Sequence, residues 1–154
     1  MDKRVILASK SPRRIELFEK YGLKAECCPA EIDESIPEGI CAPCEIVKHL
    51  AKMKASAVAS GYGDERIVVA ADTLVFCDGS ILGKPADKQD ARRMMKMLSG
   101  REHSVISGLC VVCGEKCVCE SVETRVYFRE LEGCEIEAYI STDDPYDKAG
   151  DCIP

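Results

Sequence analysis

Val5-Ile6-Leu7-Ala8-Ser9-Lys10-Ser11-Pro12-Arg13-Arg14-Ile15 opens the chain's ordered pattern and decides its fold class. An apolar run over residues 4–8 is long enough for a short strand, and a Ser/Pro corner follows it directly. Ile15, Leu17, Phe18 and Tyr21 then recur at helical spacing. Ser11 suits an N-cap, Pro12 the first helical position, and Gly22 a left-handed helix end. A strand passing through one corner into a helix is the unit from which α/β folds are built.

Working outward, residues 24–28 predict a second short strand, and the Pro- and acid-rich residues 29–39 have no helical period and read as a surface loop. From Pro43 a helical stripe follows: Ile46, Val47, Leu50, Ala51, the stem of Lys54, Ala57 and Val58, stopped by Gly61 and Gly63. Residues 67–76 have the pattern of a buried strand interrupted by one charge, Asp72, and Asp78-Gly79 offers a hairpin turn into Ile81-Leu82. Asp87 can cap a third helix with an apolar face of Ala91, Met94, Met95 and Leu98, closed by Gly100. Residues 104–113 and 116–128, joined at Gly114-Glu115, predict a long hairpin, and residues 131–140 a last helix. Parallel units beside a hairpin predict an α/β fold with a mixed β-sheet flanked by helices, in one domain over 1–154.

Composition bounds the function. The chain has 154 residues, 46% of them hydrophobic and 31% charged, which is ordinary globular usage. Its 21 Lys+Arg against 27 Asp+Glu give a net charge of −6. Such a chain lacks the field of a protein that coats a nucleic-acid polymer, so a polyanionic ligand needs a local basic cluster. No stretch approaches the ~18 apolar residues of a membrane span. Without a signal-peptide pattern, a cytoplasmic location is expected. The 11 cysteines are then expected to be reduced thiols that act mostly as small core residues, since the chain has no Trp and only 5 Tyr and 3 Phe.

Several residues could carry chemistry. Residues 9–14 place hydroxyls, helix N–H groups and guanidiniums where a phosphate would sit, although a plain Ser-Pro helix start with two solvated arginines gives the same letters. Asp72, near the end of its strand, would carry a carboxylate to the sheet's edge, where burial would raise its pKa; a turn-capping Asp is the alternative. Asp33 and Glu34 in the acidic loop, Lys54 on the second helix, Lys84 in Gly83-Lys84-Pro85 and Asp147-Lys148 are weaker signals, each with a plain surface or turn reading. Cys41-Ala42-Pro43-Cys44 has redox spacing but no preceding strand. Cys110, Cys113, Cys117 and Cys119 suggest zinc, but Cys110 and Cys113 should point to opposite faces, so no convergent four-ligand site is expected. His49 and His103 read as structural.

Taken in order, residues 7–14, Ile32-Asp33-Glu34, residues 50–55, Ala71-Asp72-Thr73, residues 82–85, Leu98-Ser99-Gly100 with His103, and Asp147-Lys148-Ala149-Gly150 resemble the Maf family from residue 5 to about 150. The resemblance implies a fold like the inosine triphosphatase group. It also implies hydrolysis of a nucleoside triphosphate between the α and β phosphates with Mg²⁺ or Mn²⁺, and a homodimer, common in the family. It makes Asp72 the catalytic proton acceptor and Glu34 the second acid, both holding the metal. Ser9, Arg13, Arg14, Lys54, Thr73 and Lys84 bind substrate. Arg13 and Thr73 are similar to the branch acting on dTTP and UTP. Family members continue past Asp-Lys-Ala-Gly with Ile-Gln-Gly and further strands, whereas Gly150 here precedes Asp151-Cys152-Ile153-Pro154. The expectation is therefore a C-terminally truncated form with reduced stability, turnover or base selection. The alternatives are a Maf-like protein that binds nucleotide or a partner with little turnover, and a cysteine-based metal or redox module.

Overall fold

The computed structural model describes residues 5–143 and Tyr146. Asp144-Pro145, Asp147-Lys148-Ala149-Gly150 and residues 151–154, with the readings attached to them, lie outside the described residues. In chain order the elements are β1 (Val5–Leu7), α1 (Pro12–Lys20), β2 (Ala25–Cys27), α2 (Pro43–Ala59), β3 (Ile67–Cys77), β4 (Ser80–Leu82), α3 (Lys88–Leu98), β5 (Glu102–Cys113), β6 (Lys116–Tyr127) and α4 (Gly133–Ile140). The six strands make one mixed sheet in the order β2-β1-β3-β5-β6, with β4 paired to β3. β1 is parallel to β2 and β3, and β4 is antiparallel to β3. This is the α/β class that the strand, corner and helix order predicts. None of the described helices is long and apolar enough to cross a membrane.

Two compact units divide the chain, residues 1–72 with 107–122 and residues 73–106 with 123–154. The first holds a core of Ile6, Ala8, Ala51, Ala55, Val58, Val68, Ala70, Cys110 and Val112. Residues 51, 55 and 58 of α2 share one stripe at helical spacing, while Ala57, expected on it, is exposed on another side of the helix. Gly108 of β5 lets α2 approach so closely that a Cβ there would lie 2.4 Å from the Val47 carbonyl carbon and oxygen. In the second unit, Val75, Cys77, Leu82, Met94 and Leu98 pack together, and Ala91 and Met95 meet Ile136 and Ile140 of α4. The expected face of α3 is thus its buried face. Asp87 caps that helix by accepting from the Asp90 N–H at 2.8 Å. Asp78 and Gly79 both have positive φ, 50° and 77°, as a two-residue hairpin turn requires.

Other expectations are corrected. No residue of α1 is buried, and Leu17 and Tyr21 are 52% and 70% exposed. On its apolar face, Ile15 and Phe18 line a cavity of about 380 Å³ with Leu7, Leu23 and Cys27. Ser11 is the N-cap residue, but its hydroxyl makes no capping bond. Asp72 is the sixth residue of the eleven-residue β3, not near its end, because the apolar run continues through Cys77 to pair with β4. Of the ten described cysteines only Cys77 and Cys110 are buried. Cys117 and Cys119 lie on β6, the last strand of the sheet, whose residues are mostly exposed, so the core rests on aliphatic residues instead. His103 is 2% exposed and packs edge-on against Phe128 at 4.8 Å, and burial lowers its pKa.

Candidate active site

The parallel pairing of β1 with β3 builds the site. β1 ends at Leu7, opposite Val69, and the Ala8 N–H still bonds to the Val69 carbonyl at 2.8 Å. β3 then runs on past the carboxyl end of β1, where ligands of α/β sheets bind. Ser9 leaves β1 at that level, and Asp72 stands on the part of β3 that has outrun it. Both are buried, at 6% and 8% exposure, where most polar groups have hydrogen-bond partners.

Those partners come from α1, α2 and the acidic loop. Ser9 Oγ accepts from the Ser11 N–H at 3.1 Å and from Arg14 Nη1 at 3.3 Å. The same Arg14 nitrogen donates to the Ala71 carbonyl at 3.0 Å, tying the first turn of α1 to β3 one residue before Asp72. Lys54, on α2, sends its Nζ to Asp72 Oδ1 at 2.8 Å and to Glu34 Oε1 at 2.9 Å. Its side chain is largely buried, whereas Glu34 is exposed. Asp33 accepts from the Ser35 N–H at 2.9 Å, a turn that shapes the loop carrying Glu34.

The electrostatics follow from this placement. Burial raises the Asp72 pKa, with Glu34 adding to the rise, and outweighs the opposing pull of Lys54 and Arg14. Burial pulls Lys54 down, but its hydrogen bonds to Asp72 and Glu34 carry it above the ordinary lysine value. Burial lowers Arg14, which as a guanidinium remains charged at neutral pH. The result is a buried carboxylate with raised basicity beside fixed positive charge. Such a group can accept a proton next to a bound polyanion.

Of the residues expected at the site, the structure joins Ser9, Arg14, Glu34, Lys54 and Asp72 in the first unit. Arg13 is exposed beside Arg14 at the start of α1. Thr73 and Lys84 belong to the second unit. Thr73, next along β3, points to the opposite face of the pleat from Asp72, and Lys84 is exposed in the segment after β4. The Ala71 carbonyl that anchors Arg14 went unforeseen, since a main-chain acceptor leaves no mark in a sequence. The cysteine spacings also yield more than expected. Cys113 turns to the Asp64 carbonyl, but Cys110, Cys117 and Cys119 converge. Counting outward from the Gly114-Glu115 turn, which sets residue 110 opposite 119, would have found them.

The sequence pattern of the family described as Maf-like protein matches residues 4–152. The chain belongs to the Maf family. A relative from Caldicellulosiruptor bescii named dTTP/UTP pyrophosphatase is 45% identical over 153 residues, covering 96% of this chain and 76% of its own length. Proteins of the same name from Geotalea uraniireducens and Chromobacterium violaceum are 45% and 46% identical. They cover 95% and 97% of this chain, and 75% and 77% of their own lengths. Among solved structures, a HAM1 protein from Coxiella burnetii superposes with a TM-score of 0.56 at 14% identity, over 80% of this chain and 72% of that one. That likeness shows the fold. The first-unit cluster gathers residues from the ordered motifs at positions 9–14, 34, 54 and 72.

Proposed function

We propose that the chain is a nucleoside triphosphate pyrophosphatase that hydrolyses dTTP and UTP to the monophosphate and pyrophosphate. The observation that carries this reading is the Lys54 bridge between the buried Asp72 and the loop acid Glu34, beside an arginine anchored on Ser9 and Ala71. The relatives named dTTP/UTP pyrophosphatase, at about 45% identity, support the substrate class. Arg13 and Thr73, similar to the dTTP/UTP branch, support the base preference.

In this reading Arg14, Arg13 and Ser9 take the triphosphate, giving locally the positive charge that a chain of net −6 lacks overall. Asp72 accepts a proton from water; the water oxygen bonds to the α-phosphorus as the bond to the bridging oxygen of the β-phosphate breaks, and pyrophosphate leaves. Lys54 holds both acids in place and opposes the burial that raises the Asp72 pKa. The donor set fits a hard divalent cation, because two carboxylates already converge on one cationic atom, Lys54 Nζ. Asp72 and Glu34 would hold Mg²⁺ or Mn²⁺, which when bound neutralises phosphate charge and acidifies water.

A nucleotide panel tests the reading. With Mg²⁺, the protein should convert dTTP and UTP to monophosphate plus pyrophosphate, resolved by chromatography, with much slower turnover of dCTP and ATP. Release of orthophosphate, or equal rates on all four, contradicts it.

A further inference from the structure

Away from the acidic site, the hairpin of β5 and β6 carries three thiols on one face. Cys117 and Cys119 are two apart on β6 and share a side of the pleat, and Cys110 stands across from them on β5. Their Sγ atoms lie 3.4 Å (Cys110 to Cys117), 3.8 Å (Cys117 to Cys119) and 2.7 Å (Cys110 to Cys119) apart. We propose that Cys110, Cys117 and Cys119 form a binding site for a single thiolate-seeking cation of the Zn²⁺ class.

The distances carry the inference. Sulfurs on a zinc ion with bonds of ~2.3 Å stand about 3.8 Å apart along the edge of a tetrahedron. Two edges of the triangle are already near that length, and a rotation of the half-buried Cys119 opens the third. A tetrahedral ion needs a fourth donor, and the surroundings leave room for one. Cys117 and Cys119 line a groove of about 760 Å³ together with His49, Lys48 and Lys52, all in the first unit. His49 Nε2 is buried there with no hydrogen-bond partner among the described residues. Lys48 and Lys52 offset the negative charge that three thiolates leave on a divalent ion. Burial raises the thiols of Cys110 and Cys119. A thiol that binds the cation gives up its proton to solvent as its metal–sulfur bond forms, with no change of oxidation state. The site shares no residue with the acidic cluster.

Titration of the reduced, full-length chain with Co²⁺, followed by displacement with Zn²⁺, tests this. One Co²⁺ per chain should give a near-ultraviolet thiolate-to-cobalt band that Zn²⁺ abolishes. Cys117→Ser and Cys119→Ser should each weaken binding at least tenfold. Cys113→Ser and the double variant Cys41→Ser/Cys44→Ser should bind as the parent does. Because Cys110 is a core residue whose replacement can unfold the chain, the exposed Cys117 provides the deciding variant, with its melting temperature measured alongside. Absence of the band in the reduced parent overturns the proposal. So does a band that survives both Cys117→Ser and Cys119→Ser, or one lost in the Cys41/Cys44 variant.

Discussion

At Asp72 burial and charge pull in opposite directions, and burial prevails. A carboxyl whose folded pKa is raised binds more protons in the native chain than in the unfolded one, between the ordinary value near ~3.9 and the folded value. The stability contribution of Asp72 therefore falls as pH rises through that window and returns on acidification. Activity runs the other way, since the ionised form accepts the proton. The acid limb of kcat/KM for dTTP should lie above the ordinary aspartate range; a limb at or below that range contradicts the assignment. Asp72→Asn should lower kcat by about 10²–10⁴-fold with an unchanged circular dichroism spectrum, and near-parental turnover would remove Asp72 from the mechanism. Lys54→Met deletes the hydrogen bond and charge that oppose the rise. It should move the acid limb further upward, which a pH profile of the variant reads directly; an unmoved limb would mean that Lys54 does not govern Asp72.

At the scale of elements, legibility followed the range of the cause. The α3 cap, its four-residue apolar face and the Asp78-Gly79 turn depend on neighbours within a few residues, and the sequence alone placed them. The loop over residues 29–39 and the long hairpin were readable for the same reason. What a face packs against is decided at a distance, so the apolar spacing of α1 could not reveal that none of its residues is buried among the described residues. At the site, Ser9, Arg14, Glu34, Lys54 and Asp72 stand 9 to 72 residues into the chain, and only their motif order tied them together before the structure showed Lys54 on both acids. The α2 to β5 contact is likewise invisible in the sequence. Gly108→Ala places a Cβ 2.4 Å from the Val47 backbone, where no flexible side chain can yield. Urea unfolding should show a loss of about 1–3 kcal/mol, the usual cost of overpacking. Unchanged stability would show that α2 shifts freely.

For the molecule as a whole, a net charge of −6 is compatible with the proposed triphosphate substrate because three basic side chains are gathered at one corner. Arg13 and Arg14 begin α1, Lys54 reaches in from α2, and the extended β3 presents Asp72 past the end of β1. The proposed reaction fixes where the bond is cut and which residue takes the proton. Hydrolysis of dTTP in ¹⁸O-water with Mg²⁺, with products resolved by mass spectrometry, tests both together. The expected result is ¹⁸O in the thymidine monophosphate, unlabelled pyrophosphate, and loss of both products in Asp72→Asn. Label in pyrophosphate or orthophosphate, or undiminished labelling of the monophosphate in Asp72→Asn, would contradict it.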